Sequence, residues 1–200
     1  MDSTIINGTQ KSIIGYLLSN PEDPPTIRSI SRSLKKSYPL TYNNIHKLEE
    51  YNIVEKRSVP PAQIVSITKS APKELLIGVE SRRKEDFINK YLWIKVMLNE
   101  TLVNTELKYF TLLVFGSYAK VKETNKSDID LLAIVPKRED ISEIENAIRK
   151  TYTKVRKNII IVDTEDFKKM IKNQSEFNVG NEAIKHHILL YGGEQFYELI

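Results

Sequence analysis

The sequence contains no cysteine and no long hydrophobic run, and each absence removes a class of function. Without cysteine among its 200 residues, the chain forms no disulfide, thiol nucleophile or zinc–thiolate site. No run approaches the roughly 18 consecutive apolar residues of a membrane span. The N-terminus also lacks a basic flank leading into an apolar core, which is the pattern of a signal peptide. We therefore expect a cytoplasmic protein without a membrane partner.

Charge is close to balanced, and its distribution is slightly uneven. The formal net charge is +4, with 28% charged and 40% hydrophobic residues, as is typical of a globular protein. The first 70 residues hold nine Lys and Arg against six Asp and Glu, whereas the rest hold twenty-one against twenty. The smaller N-terminal part is thus more basic per residue, which permits nucleic-acid binding without establishing it.

Residues 10–68 have the pattern of three helices followed by a β-hairpin. Thr26 is predicted to cap the second helix and Thr41 the third, because a threonine hydroxyl accepts a hydrogen bond from the first turn. Tyr51 is predicted to face inward at the end of the third helix. The Pro60–Pro61 pair is predicted to form the tip of the hairpin.

This order of elements, with the phrase TYNNIHKLEEYNIVEKR, resembles the recognition helix, turn and wing of winged helix-turn-helix regulators from archaea and bacteria. The resemblance implies that one helix faces the major groove of double-stranded DNA and that the wing approaches its phosphates. The implied contacts are Tyr42, Asn43, Asn44, His46 and Lys47 in the helix, and Lys56 and Arg57 in the wing. The alternative is a helical module that binds protein or only braces a second domain.

A helical connector is predicted to follow the winged helix. We expect a winged helix-turn-helix domain over residues 1–70, the connector over 71–107 and a second domain over 108–200. Apolar residues recur in the connector at helical spacing, which predicts a buried stripe. The stripe consists of Phe87, Tyr91, Ile94, Leu98 and Leu102.

The most informative residues lie between the first two apolar strands of the second domain. Gly116 and Ser117 form a predicted turn after one strand, and Asp128 and Asp130 enter the next. Because side chains alternate along a strand, both carboxylates point to one face, and hard cations such as Mg²⁺ prefer oxygen ligands. A Gly-Ser turn at a helix start attracts phosphate. Either motif alone is commonly only a turn or a solvated strand entrance, but together they predict a site for a metal-bound nucleoside triphosphate.

The segment FGSYAKVKETNKSDIDLLAIV resembles the signature of the nucleotidyltransferase superfamily related to DNA polymerase beta, and more narrowly the minimal and kanamycin-type nucleotidyltransferases. The resemblance implies an α+β fold in which a small mixed sheet is flanked by helices. It also implies transfer of a nucleoside monophosphate, most simply AMP from ATP, to an unknown acceptor, with two Mg²⁺ ions held by Asp128 and Asp130. An acceptor or toxin protein and a homodimer are possible partners. The implied nucleotide-binding residues are Gly116, Ser117, Lys120 and Ser127.

Two functions remain open because the third carboxylate expected in active relatives is not obvious. The third predicted strand, residues 158–162, contains no acid, and Asp163 comes only at its end. Asp163 is either a third catalytic carboxylate or the N-cap of the following helix. In the first case we expect an Mg²⁺-dependent nucleotidyltransferase with a DNA-binding winged helix. In the second we expect a DNA-binding regulator whose degenerate domain binds a nucleotide or a partner protein.

Overall fold

The computed structural model describes residues 6–124, 126–173 and 176–200. The chain divides into two compact units, Met1–Val79 and Glu80–Ile200. The domain boundaries predicted at residues 70 and 107 stay a prediction. Among the described residues, none of the helices combines the length and the apolar character that a membrane crossing requires.

The N-terminal unit is a winged helix. Its elements are α1 (Gly8–Leu18), α2 (Ile27–Ser33), α3 (Tyr38–Glu50), β1 (Val54–Val59) and β2 (Ala62–Ile67). The two strands pair antiparallel with the Pro60–Pro61 pair at the tip, as predicted. Thr26 caps α2 by accepting a 3.1 Å hydrogen bond from the Ser29 amide, also as predicted. A bridge between Thr26 and Ile64 joins the wing to the start of α2.

The third helix begins earlier than the sequence pattern indicated. Ser37, not Thr41, is its N-cap, and Pro39 lies in the first turn, where the missing proline N–H costs nothing. Thr41 is fully buried inside the helix, and its hydroxyl donates to the Ser37 carbonyl at 3.0 Å. Tyr51 is 47% exposed, so its predicted inward position is wrong.

The predicted helical connector is two helices, α4 (Lys73–Lys90) and α5 (Leu92–Asn104). They separate at Tyr91, whose backbone leaves the helical region at φ −126° and ψ 72°. Four residues of the two helices belong to the same apolar core as the sheet of the C-terminal unit, and they are Phe87, Ile94, Met97 and Leu98. Leu102, predicted to be part of this buried stripe, lies at the surface instead.

The C-terminal unit is built on a four-stranded mixed sheet, as predicted. After α5 its elements are β3 (Thr111–Phe115), α6 (Gly116–Ala119), β4 (Ile129–Val135), α7 (Ile141–Arg149), β5 (Lys157–Asp163), α8 (Thr164–Lys172), α9 (Val179–Lys185), β6 (Ile188–Tyr191) and α10 (Gly193–Leu199). The strand order is β5-β4-β3-β6, in which only β4 and β5 run parallel. All of β3 and nearly all of β4 are buried, so both faces of the central strands are covered.

Candidate functional site

The centre of the candidate site is the turn at the end of β3. Phe115 pairs with Asp130 of the antiparallel neighbour β4, so the next residue, Gly116, lies directly against the Asp130 side chain. Gly116 has a φ of +68°, a conformation that favours glycine. A Cβ atom at this position would lie 2.2 Å from Asp130 Oδ2 and 3.1 Å from its Cγ. Only a residue without a side chain therefore leaves room for this carboxylate.

Asp128 and Asp130 flank the first residue of β4. Asp128 is exposed just before the strand, and Asp130 is partly buried within it. Their separation by two residues along an extended chain directs both side chains to the same face. Burial raises the pKa of the Tyr118 hydroxyl, and the negative charges of Glu123 and Asp128 raise it further. Asp128 thus lies near α6, the short helix that begins with Gly116.

The strand beside Asp130 places a neutral amide next to this carboxylate. In the parallel pair, Asp130 is aligned with Asn158 of β5. The Asn158 side-chain amide donates a 3.0 Å hydrogen bond to Asp130 Oδ1. The absence of an acid from this strand is visible in the sequence, but the contact itself is not, because it depends on the parallel register of β4 and β5.

The prediction of Asp163 as a third catalytic carboxylate is contradicted by its position. Asp163 aligns with Val135, five residues along the strands from the Asp130–Asn158 pair. At about 3.3 Å per residue, this places Asp163 about 16 Å from that pair along the sheet. Its side chain caps α8 by accepting a 2.8 Å hydrogen bond from the Asp166 amide. The capping alternative is therefore confirmed.

The other three side chains predicted to contact the nucleotide differ in whether another residue already binds them. The Ser117 hydroxyl is partly buried and forms no hydrogen bond to any other described residue. Lys120 Nζ pairs with Glu182 at 3.0 Å, so a phosphate would compete with this carboxylate. Ser127 accepts a 2.9 Å hydrogen bond from the Thr124 amide and thereby closes a turn. Of the three side chains, Ser117 is the one best placed to contact a ligand.

A contact that sequence reasoning missed fastens the loop between Gly116 and Asp128. Glu123 of this loop accepts a short hydrogen bond from the Tyr91 hydroxyl and a 3.0 Å bond from Lys90 Nζ. Burial alone would raise the pKa of Glu123, but these two bonds, a backbone hydrogen bond and the charge of Lys90 together lower it. The rings of Tyr91 and Trp93 pack edge-on against Tyr118. The junction of α4 and α5 therefore holds the loop that leads to Asp128.

Any metal site at this position would consist of the two carboxylates and the ligand itself. No group of three or more His, Cys, Asp or Glu side chains that could hold a metal ion occurs in residues 6–124, 126–173 and 176–200. Asp128 and Asp130 nevertheless offer the anionic oxygen donors that Mg²⁺ prefers, and this ion commonly binds one or two carboxylates together with substrate phosphates and water. The donor set thus fits a cation that arrives with a nucleotide.

The predicted DNA-contacting residues are mostly on one exposed surface of α3. Tyr42, Asn43, His46 and Lys47 are exposed there, and Arg57 is exposed on the wing. Asn44 is the exception: it is 6% exposed and donates a 2.8 Å hydrogen bond to the Leu40 carbonyl, so its predicted DNA contact is wrong.

The remaining wing cation, Lys56, is engaged within its own unit. Its Nζ lies 2.7 Å from Glu49 Oε2 and 5.6 Å from the centre of the Tyr42 ring. A DNA phosphate would have to compete with the Glu49 carboxylate for this ammonium group. Lys47 and Arg57 are both exposed, and none of the described side-chain contacts engages them. Their contact with DNA stays a prediction.

Comparison with solved structures finds bacterial transcription regulators at low similarity. MepR, a transcription regulator of the Staphylococcus aureus multidrug efflux pump MepA, is 19% identical over 49% of this chain and 78% of its own, with a TM-score of 0.36. The S. aureus MepR–DNA complex gives 18% identity over 49% and 78%, with a TM-score of 0.36. A mutant of Lactococcus lactis ZitR gives 18% over 46% and 62%, also at 0.36. The description of the N-terminal unit as a winged helix rests on its own elements.

Comparison of the sequence finds a family that is similar to part of the second unit. No curated protein matches the chain. Residues 98–193 match the family described as Polymerase beta, Nucleotidyltransferase. This segment contains the Gly116 turn, both strand-entry carboxylates and Asn158. The part of the chain that carries the candidate site is therefore similar to nucleotidyltransferase domains of the polymerase beta type.

Proposed function

We propose that the nucleotidyltransferase domain binds a nucleoside triphosphate together with a divalent cation. Asp128 and Asp130 would hold the cation, and the Ser117 hydroxyl and the backbone N–H groups at the start of α6 would contact the phosphates. The observation that carries the proposal is the absence of a side chain at Gly116, because a Cβ atom there would lie 2.2 Å from Asp130 Oδ2. When bound, the cation would offset the negative charge of the triphosphate and polarise its phosphoryl oxygens.

We infer further that nucleotidyl transfer by this domain is slow. In this reaction an acceptor oxygen attacks the α-phosphate and pyrophosphate leaves, so the acceptor hydroxyl must lose its proton. Asn158 occupies the place beside Asp130 and is a neutral amide, which neither accepts that proton nor adds negative charge for a second cation. The chain would thus bind a nucleotide such as ATP firmly and transfer AMP to its acceptor only slowly.

Calorimetric titration with ATP and Mg²⁺ tests the binding step. Asp130→Asn keeps the shape of the side chain but removes its charge, so we expect nucleotide affinity to fall about 10- to 100-fold. Asp163→Asn is the matched control, because it removes the same charge about 16 Å away and asparagine remains a good helix cap. Equal affinity of wild type and Asp130→Asn would contradict the proposal.

The second candidate function is DNA binding by the winged helix. It is favoured by the exposed polar surface of α3, with Tyr42, Asn43, His46 and Lys47, and by Arg57 on the wing. Such a surface offers hydrogen-bonding groups to base edges and two cations to phosphates. With this activity the protein would be a regulator whose nucleotidyltransferase domain responds to a nucleotide.

Duplex binding measured over a range of salt concentration tests this second function. Lys47→Gln and Arg57→Gln should each weaken DNA binding. Each should also reduce the slope of log affinity against log salt concentration by about one, because one fewer counterion is released. Lys154→Gln, which removes an exposed positive charge from the C-terminal unit, should leave binding unchanged. Absence of binding to any duplex at low salt would refute the candidate function.

A further inference from the structure

We propose that α5 forms a parallel helix pair with α5 of a second copy of this chain. The inference is independent of the proposed nucleotide function. One side of α5 is committed to the core of the C-terminal unit through Ile94, Met97 and Leu98. The opposite side carries large apolar residues in water: Leu92 is 67% exposed, and Val103 is 84% exposed. Exposed apolar stripes of this kind mark interaction sites.

The spacing of the outward residues is that of a coiled-coil seam. Leu92, Val96, Asn99 and Val103 follow one another at intervals of four, three and four residues, which is the d-a-d-a order of a heptad repeat. Leucine at d and valine at a favour a two-stranded parallel coiled coil. The one polar residue of the seam, Asn99, lies at a d position, where it lowers the stability of the helix pair. The pattern therefore indicates a second helix of the same kind.

Charge on the edges of the seam favours a parallel partner. In this repeat Lys95 is a g position and Glu100 is the following e position, the two positions that face each other across a parallel helix pair. Lys95 is exposed, and Glu100 is partly exposed, with only one of its carboxylate oxygens accepting the Tyr152 amide at 2.8 Å. Each copy would thus offer one cation and one anion to the other, which gives two equivalent ion pairs about a two-fold axis.

The length of the seam sets the expected strength of association. The 13 residues of α5 extend about 20 Å, less than a long coiled coil. Tyr152, 64% exposed and bonded through its amide to Glu100, enlarges the apolar surface beside the helix. We therefore expect a reversible dimer whose population rises with concentration, not a permanent one.

Sedimentation velocity of the full chain over a wide range of concentration tests the proposal. Val96→Glu and Val103→Glu together place charges at both a positions and should weaken dimerisation about tenfold or more. Val59→Glu, a matched change at an exposed valine of the wing, should have no effect. Asn99→Leu should tighten the dimer, because it removes the polar residue from the seam. A chain that stays monomeric throughout, or a dimer unaffected by the paired valine changes, would overturn the proposal.

A charge exchange tests the parallel direction separately. Lys95→Glu alone and Glu100→Lys alone should each weaken the dimer about two- to fivefold, since like charges would then face each other. The two changes together should restore the wild-type association. Failure of the double variant to recover would overturn the parallel pairing, because an antiparallel pair does not bring positions 95 and 100 together.

Discussion

Replacement of Gly116 by alanine should damage both stability and ligand binding. The backbone at this residue has a φ of +68°, and a left-handed conformation costs an L-residue roughly 1–2 kcal/mol. The added methyl group would also lie 2.2 Å from Asp130 Oδ2, so the carboxylate must rotate away. We expect the C-terminal unit to lose about 1–3 kcal/mol of unfolding free energy in total. Affinity for Mg²⁺ and ATP should fall about 10- to 100-fold, because one of two carboxylates is displaced.

Thermal unfolding and calorimetric titration of Gly116→Ala give the two readouts. Gly78→Ala is the control: this glycine lies within α4 with open space around its Cβ position, so alanine should stabilise the helix by about 0.5–1 kcal/mol. In the double variant Gly116→Ala with Asp130→Ala, the contact disappears and only the backbone strain should remain. A Gly116→Ala protein as stable as wild type, with unchanged nucleotide affinity, would refute the reasoning.

Three further predictions concern other groups of the C-terminal unit. Asn158→Asp places a carboxylate beside Asp130 and should raise the rate of AMP transfer about tenfold or more. The rate is measured with α-labelled ATP and acceptors from a cell extract, and an unchanged rate would show that the amide does not limit transfer. Glu123→Gln weakens the contacts with Tyr91 and Lys90, so amide exchange in residues 120–124 should accelerate, whereas unaltered exchange would exclude a fastening role. Burial alone would raise the pKa of buried Glu80, but the nearby His187 ring and the Arg83 guanidinium lower it below its value in the unfolded chain. The stabilising contribution of the Glu80 carboxylate is therefore present above about pH 4.3 and is lost as pH falls through the lower folded pKa. Thermal unfolding across that range should show a shallower pH dependence for Glu80→Gln than for wild type or for Glu74→Gln, an exposed control on the same helix, and equal slopes would contradict this role.

Sequence patterning predicted most of the sheet because its signals are local. The strand that Asp128 and Asp130 were predicted to enter is observed as β4, since a continuous apolar run follows the two aspartates directly. The turn at Gly116 was predicted because Gly116 and Ser117 directly follow an apolar run. The start of α3 was misplaced at Thr41, whereas Ser37 is the observed N-cap and Pro39 is well tolerated in the first turn.

The parts of the site that escaped prediction depend on distant pairings. The Asn158–Asp130 hydrogen bond joins residues 28 positions apart, and the Lys120–Glu182 pair joins residues 62 apart. Neither contact produces a periodic pattern in the sequence. The position of Asp163 likewise follows from the parallel register of β4 and β5, which no local pattern specifies. The burial of Asn44 depends on how α3 packs within the winged helix.

The most direct test of the account is a crystal structure of the protein with Mg²⁺ and a non-hydrolysable ATP analogue. The account predicts a cation bound by Asp128 and Asp130, with the triphosphate against Ser117 and the backbone at the start of α6. It also predicts that Asn158 remains beside Asp130 and that Asp163 remains the cap of α8. A nucleotide bound elsewhere, or a cation that does not contact Asp128 and Asp130, would contradict it.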